Sequence, residues 1–158
     1  MTHDTREDRA HAAHAAGFGR RDRDGYDRGM ETAERADIRR LIGKAEADPD
    51  VLALLLFGSR ARGDASSGSD VDVCIVLEPG RPSGDGGRKR LDYLAEADVD
   101  LVVFQQLPLA IRSRVLREGR VLFVRDEDRL YETAVRAARA FEGFRHHHRG
   151  YLDAVARD

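Results

Sequence analysis

The sequence predicts an α/β (α+β) fold, in which one small β-sheet is flanked by helices and followed by a C-terminal helix. Three segments, residues 51–57, 70–78 and 98–104, have the length and the apolar or alternating pattern of strands. Segments with helical spacing of apolar residues lie before and after them, so helices are available to cover the sheet. The length of 158 residues fits one globular domain.

Composition restricts the classes of partner. The chain has 27 basic and 29 acidic residues and a formal net charge of -2. This balance gives no general attraction to nucleic acid or to an anionic membrane, so neither is expected as a direct partner. A phosphate ligand must then be held locally. The sequence contains neither a signal peptide nor a membrane-spanning apolar run, and we expect a cytoplasmic protein with its one cysteine, Cys74, buried and unreactive.

The N-terminal segment differs in composition from the rest of the chain. Residues 1–30 offer too little apolar bulk to offset the entropy of ordering, so we predict a disordered extension. The folded domain is predicted over residues 31–126. It begins with an amphipathic helix that ends at Asp48 and Pro49, because proline disfavours the helical conformation of the residue before it.

The first two predicted strands enclose a polar connection. The run VLALLLF, residues 51–57, is continuous in apolar residues, which is typical of a strand buried on both faces. It ends at Gly58, and a Gly- and Ser-rich segment follows over residues 59–69. The second strand is DVDVCIVLE, residues 70–78, which begins with strict alternation and is rich in β-branched residues.

The remaining elements complete the sheet and its helices. We predict a helix over residues 88–97 with Leu91 and Leu94 facing inward, and the third strand over residues 98–104. A helix over 108–118 and a short strand over 121–124 follow, with Gly119 in the position of a helix C-cap. A C-terminal helix is predicted over 127–158, packing on the domain or on a partner. Its apolar stripe comprises Leu130, Ala134, Ala137, Ala138, Phe141 and Phe144.

The end of the first strand has the features of a phosphate-binding turn. Gly58 and Ser59 lie where the chain turns sharply, and peptide N–H groups exposed at such a turn bind phosphate oxygens. Ser59 adds a hydroxyl to this set. Arg60 and Arg62 follow and could reach the same phosphates, although a solvated surface role is an equal alternative for each.

Clustered carboxylates predict a metal site. Asp70 and Asp72 are two residues apart in a predicted strand and therefore share one face. Two like charges this close raise each other's pKa unless a cation neutralises them, and Mg²⁺ prefers a few carboxylates together with phosphate oxygens. The third strand offers Asp98 and Asp100 as a third carboxylate, which would complete a two-metal arrangement. An Asp-x-Asp pair alone is more often a solvated strand face; the combination with the preceding turn favours the metal site.

The spacing of these residues resembles a known signature. Gly58-Ser59, ten intervening residues and Asp70-Val71-Asp72 resemble the motif of the DNA polymerase β-like nucleotidyltransferase superfamily. Asp100, in VDLVVF, is similar in position to that superfamily's third carboxylate, with Asp98 as the alternative. The resemblance implies a minimal nucleotidyltransferase fold, in which a small mixed sheet has helices packed against it and the active site lies along one edge. It also implies that Asp70, Asp72 and Asp100 are the catalytic, Mg²⁺-binding residues, with two ions and ATP as substrate.

Further segments resemble one group within this superfamily. The stretches FGSRARGDA, VDLV and VLREGRVLFVRDEDRLYE are similar to the small MNT (MntA-type) antitoxins of HEPN–MNT toxin–antitoxin pairs, and the similarity covers residues 50–132. The resemblance implies an adenylyltransferase that transfers AMP from ATP to a tyrosine of a HEPN toxin partner and silences it. Two alternatives stay open: a non-catalytic module of the same fold that neutralises the toxin by binding, and transfer to a small molecule such as an aminoglycoside.

Overall fold

The computed structural model describes residues 30–66, 68–82 and 85–155, with side chains as far as residue 146. The extension predicted to be disordered therefore lies outside the described residues, apart from Met30, which is buried in the core. The elements run in this order: α1 (Thr32–Ala47), β1 (Val51–Phe57), α2 (Gly58–Arg62), β2 (Asp72–Leu77), α3 (Asp85–Leu94), β3 (Asp100–Val103), a 3-10 helix (Phe104–Gln106), α4 (Leu109–Glu118), β4 (Arg120–Val124) and α5 (Glu127–Val155).

The four strands form one mixed sheet, which confirms the predicted fold class. Their order is β3-β2-β1-β4, with β1 antiparallel to both of its neighbours and β2 parallel to β3. The parallel pair requires a crossover between β2 and β3, and α3 provides it. Because β1 is central and covered on both faces, the first six of its seven residues, Val51 to Leu56, are buried, which explains the continuous apolar run.

Helices cover both faces of the sheet and create two apolar cores. Alternation along β2 sends Val73 and Ile75 to the face under α1 and α3, and Cys74 and Val76 to the face under α4 and α5. Cys74 is fully buried as predicted, and burial raises the pKa of its thiol, so the thiolate is disfavoured.

A polar network fixes the sheet end where β1 begins, opposite to the end with the Gly58 turn. The Lys89 ammonium donates a 2.8 Å hydrogen bond to the Asp48 carboxylate, and the buried Tyr93 hydroxyl donates one of 3.1 Å to the same group. Arg125 donates to the backbone carbonyls of Ala45 and Asp48 at 2.7 and 2.9 Å. These contacts satisfy the last carbonyls of α1 and join α3 and β4 to it.

Several predicted details are wrong in instructive ways. Leu91 is 68% exposed, and the buried aromatic Tyr93 packs inward in its place. The helix that carries both begins at Asp85 rather than at residue 88. The helix α2 lies within the segment predicted to be only a polar connection.

The C-terminal helix packs on the core through only part of its predicted stripe. Leu130, Ala134 and Ala137 are buried in the core under α4 and α5, whereas Ala138 is exposed and Phe144 is 57% exposed. The apolar stripe therefore leaves the sheet after Ala137. Among the described residues, the structure contains no helix that is both long and apolar enough to span a membrane.

Candidate active site

The pairing of two strands places two of the predicted carboxylates side by side. Asp72 and Asp100 are register partners at the start of the parallel strands β2 and β3. The next residues of these strands, Val73 and Leu101, belong to the core under α1 and α3. Since successive side chains alternate, Asp72 and Asp100 both belong to the opposite face of the sheet.

Asp70 lies close to this pair but outside the strand. The second strand begins at Asp72 and not at residue 70, so the alternation argument does not apply to Asp70. Its charge nevertheless acts on Asp72. The pKa of Asp72 is raised by partial burial first, then by the negative charges of Asp100 and Asp70, while the positive charge of Arg62 opposes the rise. The three carboxylates thus form one electrostatic group.

The structure distinguishes the two candidates for the third carboxylate. Asp98 is an exposed residue in a bend before β3, which begins two residues later than predicted. Asp100 is the first residue of the strand, and its backbone N–H donates a 2.9 Å hydrogen bond to the carbonyl of Val71. This bond fixes Asp100 beside the Asp70–Asp72 segment, which favours Asp100 as the third member of the group.

Gly58 packs directly against one of these carboxylates. Its φ angle is 73°, a conformation that side-chain-bearing residues rarely adopt. A Cβ atom added at Gly58 would lie 2.3 Å from Oδ2 of Asp72. The end of β1 can therefore approach the Asp72 carboxylate this closely only with a glycine at this position.

Ser59 follows Gly58 in the same turn. Gly58 and Ser59 are the first two residues of α2, and the first amides of a helix have no acceptor within that helix. Ser59 is half-buried. The structure thus brings backbone N–H donors, the Ser59 hydroxyl and the three carboxylates Asp70, Asp72 and Asp100 to one end of the sheet.

The two arginines predicted to bind nucleotide have different surroundings. The Arg62 side chain is 37% exposed, and its guanidinium lies 3.3 Å from oxygens of both Asp64 and Glu118. Its positive charge opposes the rise in the pKa of Asp72. The Arg60 side chain is 8% exposed and is hydrogen-bonded within the protein. Arg62 is therefore the better placed of the two to reach a ligand at the carboxylates.

Two acidic residues at this site were missed from the sequence. Glu34 of α1 contacts Arg60, and Glu118 at the end of α4 contacts Arg62. Their partners lie 26 and 56 residues away along the chain. No short motif contains both members of either pair, so spacing alone offered no signal for them.

The donor set suits Mg²⁺, although no closed metal site is preformed. Among the described residues, no three carboxylate, imidazole or thiol side chains are already arranged to enclose a metal ion. Carboxylate oxygens are nevertheless the ligands that Mg²⁺ prefers, and it commonly completes its shell with water and substrate phosphate. Partial burial, and then the neighbouring charges of Asp100 and Asp70, raise the pKa of Asp72, and a bound cation would neutralise those charges. The residues present therefore fit such an ion.

The fold and the site together define a class of enzyme. Residues 39–128 match the family model described as polymerase beta, nucleotidyltransferase. The chain belongs to this family, and it is a nucleotidyltransferase. The matched range includes the whole sheet and all the predicted site residues from Gly58 to Asp100.

A curated relative resembles part of the chain. A protein of Methanocaldococcus jannaschii, whose name gives protein adenylyltransferase as an unconfirmed activity, is 29% identical over 75 residues, which are 46% of this chain. The aligned part spans only 56% of that relative's length.

Two solved structures with low sequence identity share the fold. One is a chain of a toxin–antitoxin crystal structure with AMP-PNP (TM-score 0.55, 21% identity, 75% of this chain and 95% of that chain). The other is a chain of the tri-AMPylated Shewanella oneidensis HEPN toxin in complex with its MNT antitoxin (TM-score 0.54, 17% identity, 77% and 98%). The TM-scores above 0.5 establish a common fold.

Proposed function

We propose that this nucleotidyltransferase is an adenylyltransferase that transfers AMP from ATP to a tyrosine hydroxyl of a HEPN-type toxin and so acts as an antitoxin in the cytoplasm. The observation that carries the proposal is the pairing of Asp72 with Asp100 beside the Gly58 turn. It brings acidic groups and backbone donors together, and nucleotidyl transfer needs both. The AMP-PNP complex and the AMPylated HEPN toxin among proteins of this fold support the choice of substrates.

Each site residue has a defined role in this proposal. Asp70, Asp72 and Asp100 would hold two Mg²⁺ ions, which neutralise phosphate charge when bound. The backbone of Gly58 and Ser59 and the guanidinium of Arg62 would hold the triphosphate. Arg60 was also predicted to bind the triphosphate, but its guanidinium is hydrogen-bonded within the protein, which indicates a different role.

The transfer itself is an in-line displacement at the α-phosphorus. The tyrosine oxygen forms a bond to this phosphorus as the bond to the bridging oxygen of the β-phosphate breaks, and pyrophosphate leaves with the electron pair. Asp100 would orient and polarise the incoming hydroxyl, and the proton that this hydroxyl loses would pass through the Asp100 carboxylate to solvent. Positioning of the two reactants and compensation of the developing charge supply the rate enhancement.

A non-catalytic module that only binds the toxin is the main competing function. Crowded carboxylates do not favour it, because three like charges raise the free energy of the folded chain and contribute nothing to simple occlusion. Transfer to a small molecule such as an aminoglycoside has no separate observation in its favour.

The mass of the partner protein distinguishes these functions. The purified chain is incubated with ATP, Mg²⁺ and a HEPN-type toxin, and the toxin is examined by intact mass spectrometry and peptide mapping. We expect a mass increase of one or more AMP groups, located on tyrosine, and loss of the partner's toxicity. A stable complex that suppresses toxicity without any AMP addition would contradict the proposal and identify a binding module.

A further inference from the structure

Arg60 lies in the predicted nucleotide-binding turn, but its guanidinium is bound inside the protein. Its Nη2 atom donates a 2.6 Å hydrogen bond to Oε1 of Glu34 in α1, and a second of 3.1 Å to the backbone carbonyl of Ser69. The side chains of Arg60 and Glu34 are only 8% and 20% exposed. A charge pair shielded to this extent is costly to disrupt, because either partner alone would be a poorly solvated charge.

The carbonyl that Arg60 binds belongs to the peptide that leads into Asp70. Asp70 is exposed and precedes β2, so strand hydrogen bonds do not fix it directly. On its other side, the carbonyl of Val71 accepts the N–H of Asp100 at 2.9 Å. The chain is thus held by the Arg60 side chain at the peptide before Asp70, and by the β3 backbone at the carbonyl of Val71, one residue after Asp70.

The other end of this contact is also fixed. Oε2 of Glu34 accepts a 2.9 Å hydrogen bond from the backbone N–H of Glu31, as part of a capping box at the start of α1. Glu34 therefore uses one oxygen to cap α1 and the other to bind Arg60. The result is a continuous connection, here named the Arg60 link, from the first turn of α1 through Glu34 and Arg60 to Ser69.

We infer that Arg60 is a positioning residue, which holds the segment carrying Asp70 in the geometry required for divalent-cation binding and does not itself bind nucleotide. The inference rests on the proposed function in one respect, namely that Asp70 is a metal ligand. Mg²⁺ requires near-ideal octahedral geometry, so a ligand whose backbone drifts loses affinity. Residues that orient metal ligands typically contribute a factor of about 10–100 to metal affinity.

Metal binding tests the inference independently of AMP transfer. Mn²⁺ is titrated into the full chain in the presence of AMP-PNP, and its dissociation constant is measured by electron paramagnetic resonance. We expect Arg60→Met to weaken Mn²⁺ binding by about tenfold, the lower end of the range for orienting residues, with AMP-PNP affinity at saturating Mn²⁺ unchanged. Arg60→Lys keeps the positive charge and N–H donors, and should recover part of the loss.

A matched substitution controls for the loss of an arginine that pairs with a glutamate. Arg129 donates a 3.1 Å hydrogen bond to Glu78, which follows β2 at the end opposite to Asp72. Arg129→Met should leave the Mn²⁺ affinity unchanged. If Arg60→Met does not fold, Glu34→Gln supplies the test. The glutamine amide oxygen can still accept the capping-box hydrogen bond, whereas the negative charge that binds Arg60 is lost.

Three results would overturn the inference in different ways. Equal Mn²⁺ affinity for the wild-type chain and a folded Arg60→Met variant, with only a lower melting temperature, would show that the Arg60 link is purely structural. Weaker AMP-PNP binding at saturating Mn²⁺ with unchanged Mn²⁺ affinity would show that Arg60 binds nucleotide. Absence of Mn²⁺ binding to the wild-type chain would refute the proposed metal site itself, and the inference with it.

Discussion

At Gly58 the chain passes so close to the Asp72 carboxylate that there is room for a hydrogen atom but not for a methyl group. The left-handed backbone conformation of Gly58 adds a second reason for glycine. Gly63, five residues later, has a similar φ angle of 80°, but a Cβ atom there would meet nothing within 4 Å. Substitutions at the two glycines therefore distinguish the effect of backbone strain, which both share, from the effect of contact with Asp72, which only Gly58 has.

Alanine substitutions at these two positions should therefore differ in activity. Each should lower the free energy of unfolding by about 1–2 kcal/mol, because alanine is strained in the left-handed region. Only Gly58→Ala must also displace the Asp72 carboxylate, so we expect it alone to reduce AMP transfer, by about 100-fold or more. Urea unfolding and initial rates measure both effects. Similar activity in the two variants would contradict the proposed importance of the close approach.

Residue identities at the site were predictable to the extent that they lie in a local motif. The pair Gly58-Ser59 and the pair Asp70-x-Asp72 have fixed spacing, so the sequence alone indicated them. The choice between Asp98 and Asp100 was not decidable from alternation, because both lie on one face of an idealised strand. The later start of β3 and the pairing of Asp100 with Asp72 favour Asp100.

At the scale of elements, the connection from α1 to β1 is held by charged side chains. Burial alone would raise the pKa of Asp48, but hydrogen bonds from Lys89, the Asp50 amide and Tyr93 outweigh it, and the pKa is lowered. The folded-state pKa thus lies below the unfolded one. The ionised Asp48 therefore stabilises the fold above the unfolded value of about 3.9, and this stabilisation is lost as the pH falls through the folded value.

Removal of Lys89 should have a pH-dependent cost. At about pH 7, Lys89→Met should lower the free energy of unfolding by about 1–3 kcal/mol, because the Asp48 carboxylate loses the charged group that donates a hydrogen bond to it. The difference from wild type should shrink below about pH 4 as Asp48 becomes protonated. Urea unfolding between these pH values measures it. As the control, Lys44→Met loses ion pairs with the exposed Asp92 and Glu96, worth under about 1 kcal/mol, and a cation–π contact with the Tyr93 ring, worth about 0.5–1 kcal/mol. A cost for Lys89→Met that is independent of pH would refute the assigned role of Asp48.

Element types followed from local patterns more reliably than element ends did. The runs that became β1, α4 and β4 showed their type in apolar spacing, and Gly119 is the C-cap of α4 as predicted. The start of β2 depends on long-range pairing with Phe57 of β1, which no local pattern reveals. Similarly, Tyr93 and not Leu91 faces inward from α3, because Tyr93 packs against α1, and local spacing does not show this contact.

For the whole molecule, the sequence predicts a mixed sheet between helices but not its strand order. That order matters for function. Because β1 is central, its end at Gly58 lies beside β2, and the parallel partner β3 brings Asp100 to the same sheet end. The domain division at residues 126 and 127 stays a prediction, as does the packing of the distal part of α5 against a partner.

The three carboxylates Asp70, Asp72 and Asp100 are the proposed site of nucleotidyl transfer. Asp72→Asn is the most informative variant, because loss of a crowded charge should preserve or increase stability while removing a metal ligand. Asp98→Asn is the matched control, since Asp98 is exposed and lies before β3.

The decisive measurement is the initial rate of pyrophosphate release from ATP and Mg²⁺ in the presence of the HEPN-type acceptor, for wild type and both variants. We expect Asp72→Asn to be slower by about 100-fold or more, because charge neutralisation by bound metal supplies several kcal/mol of transition-state stabilisation. Asp98→Asn should retain the wild-type rate. A folded Asp72→Asn variant that releases pyrophosphate at the wild-type rate would contradict the claim.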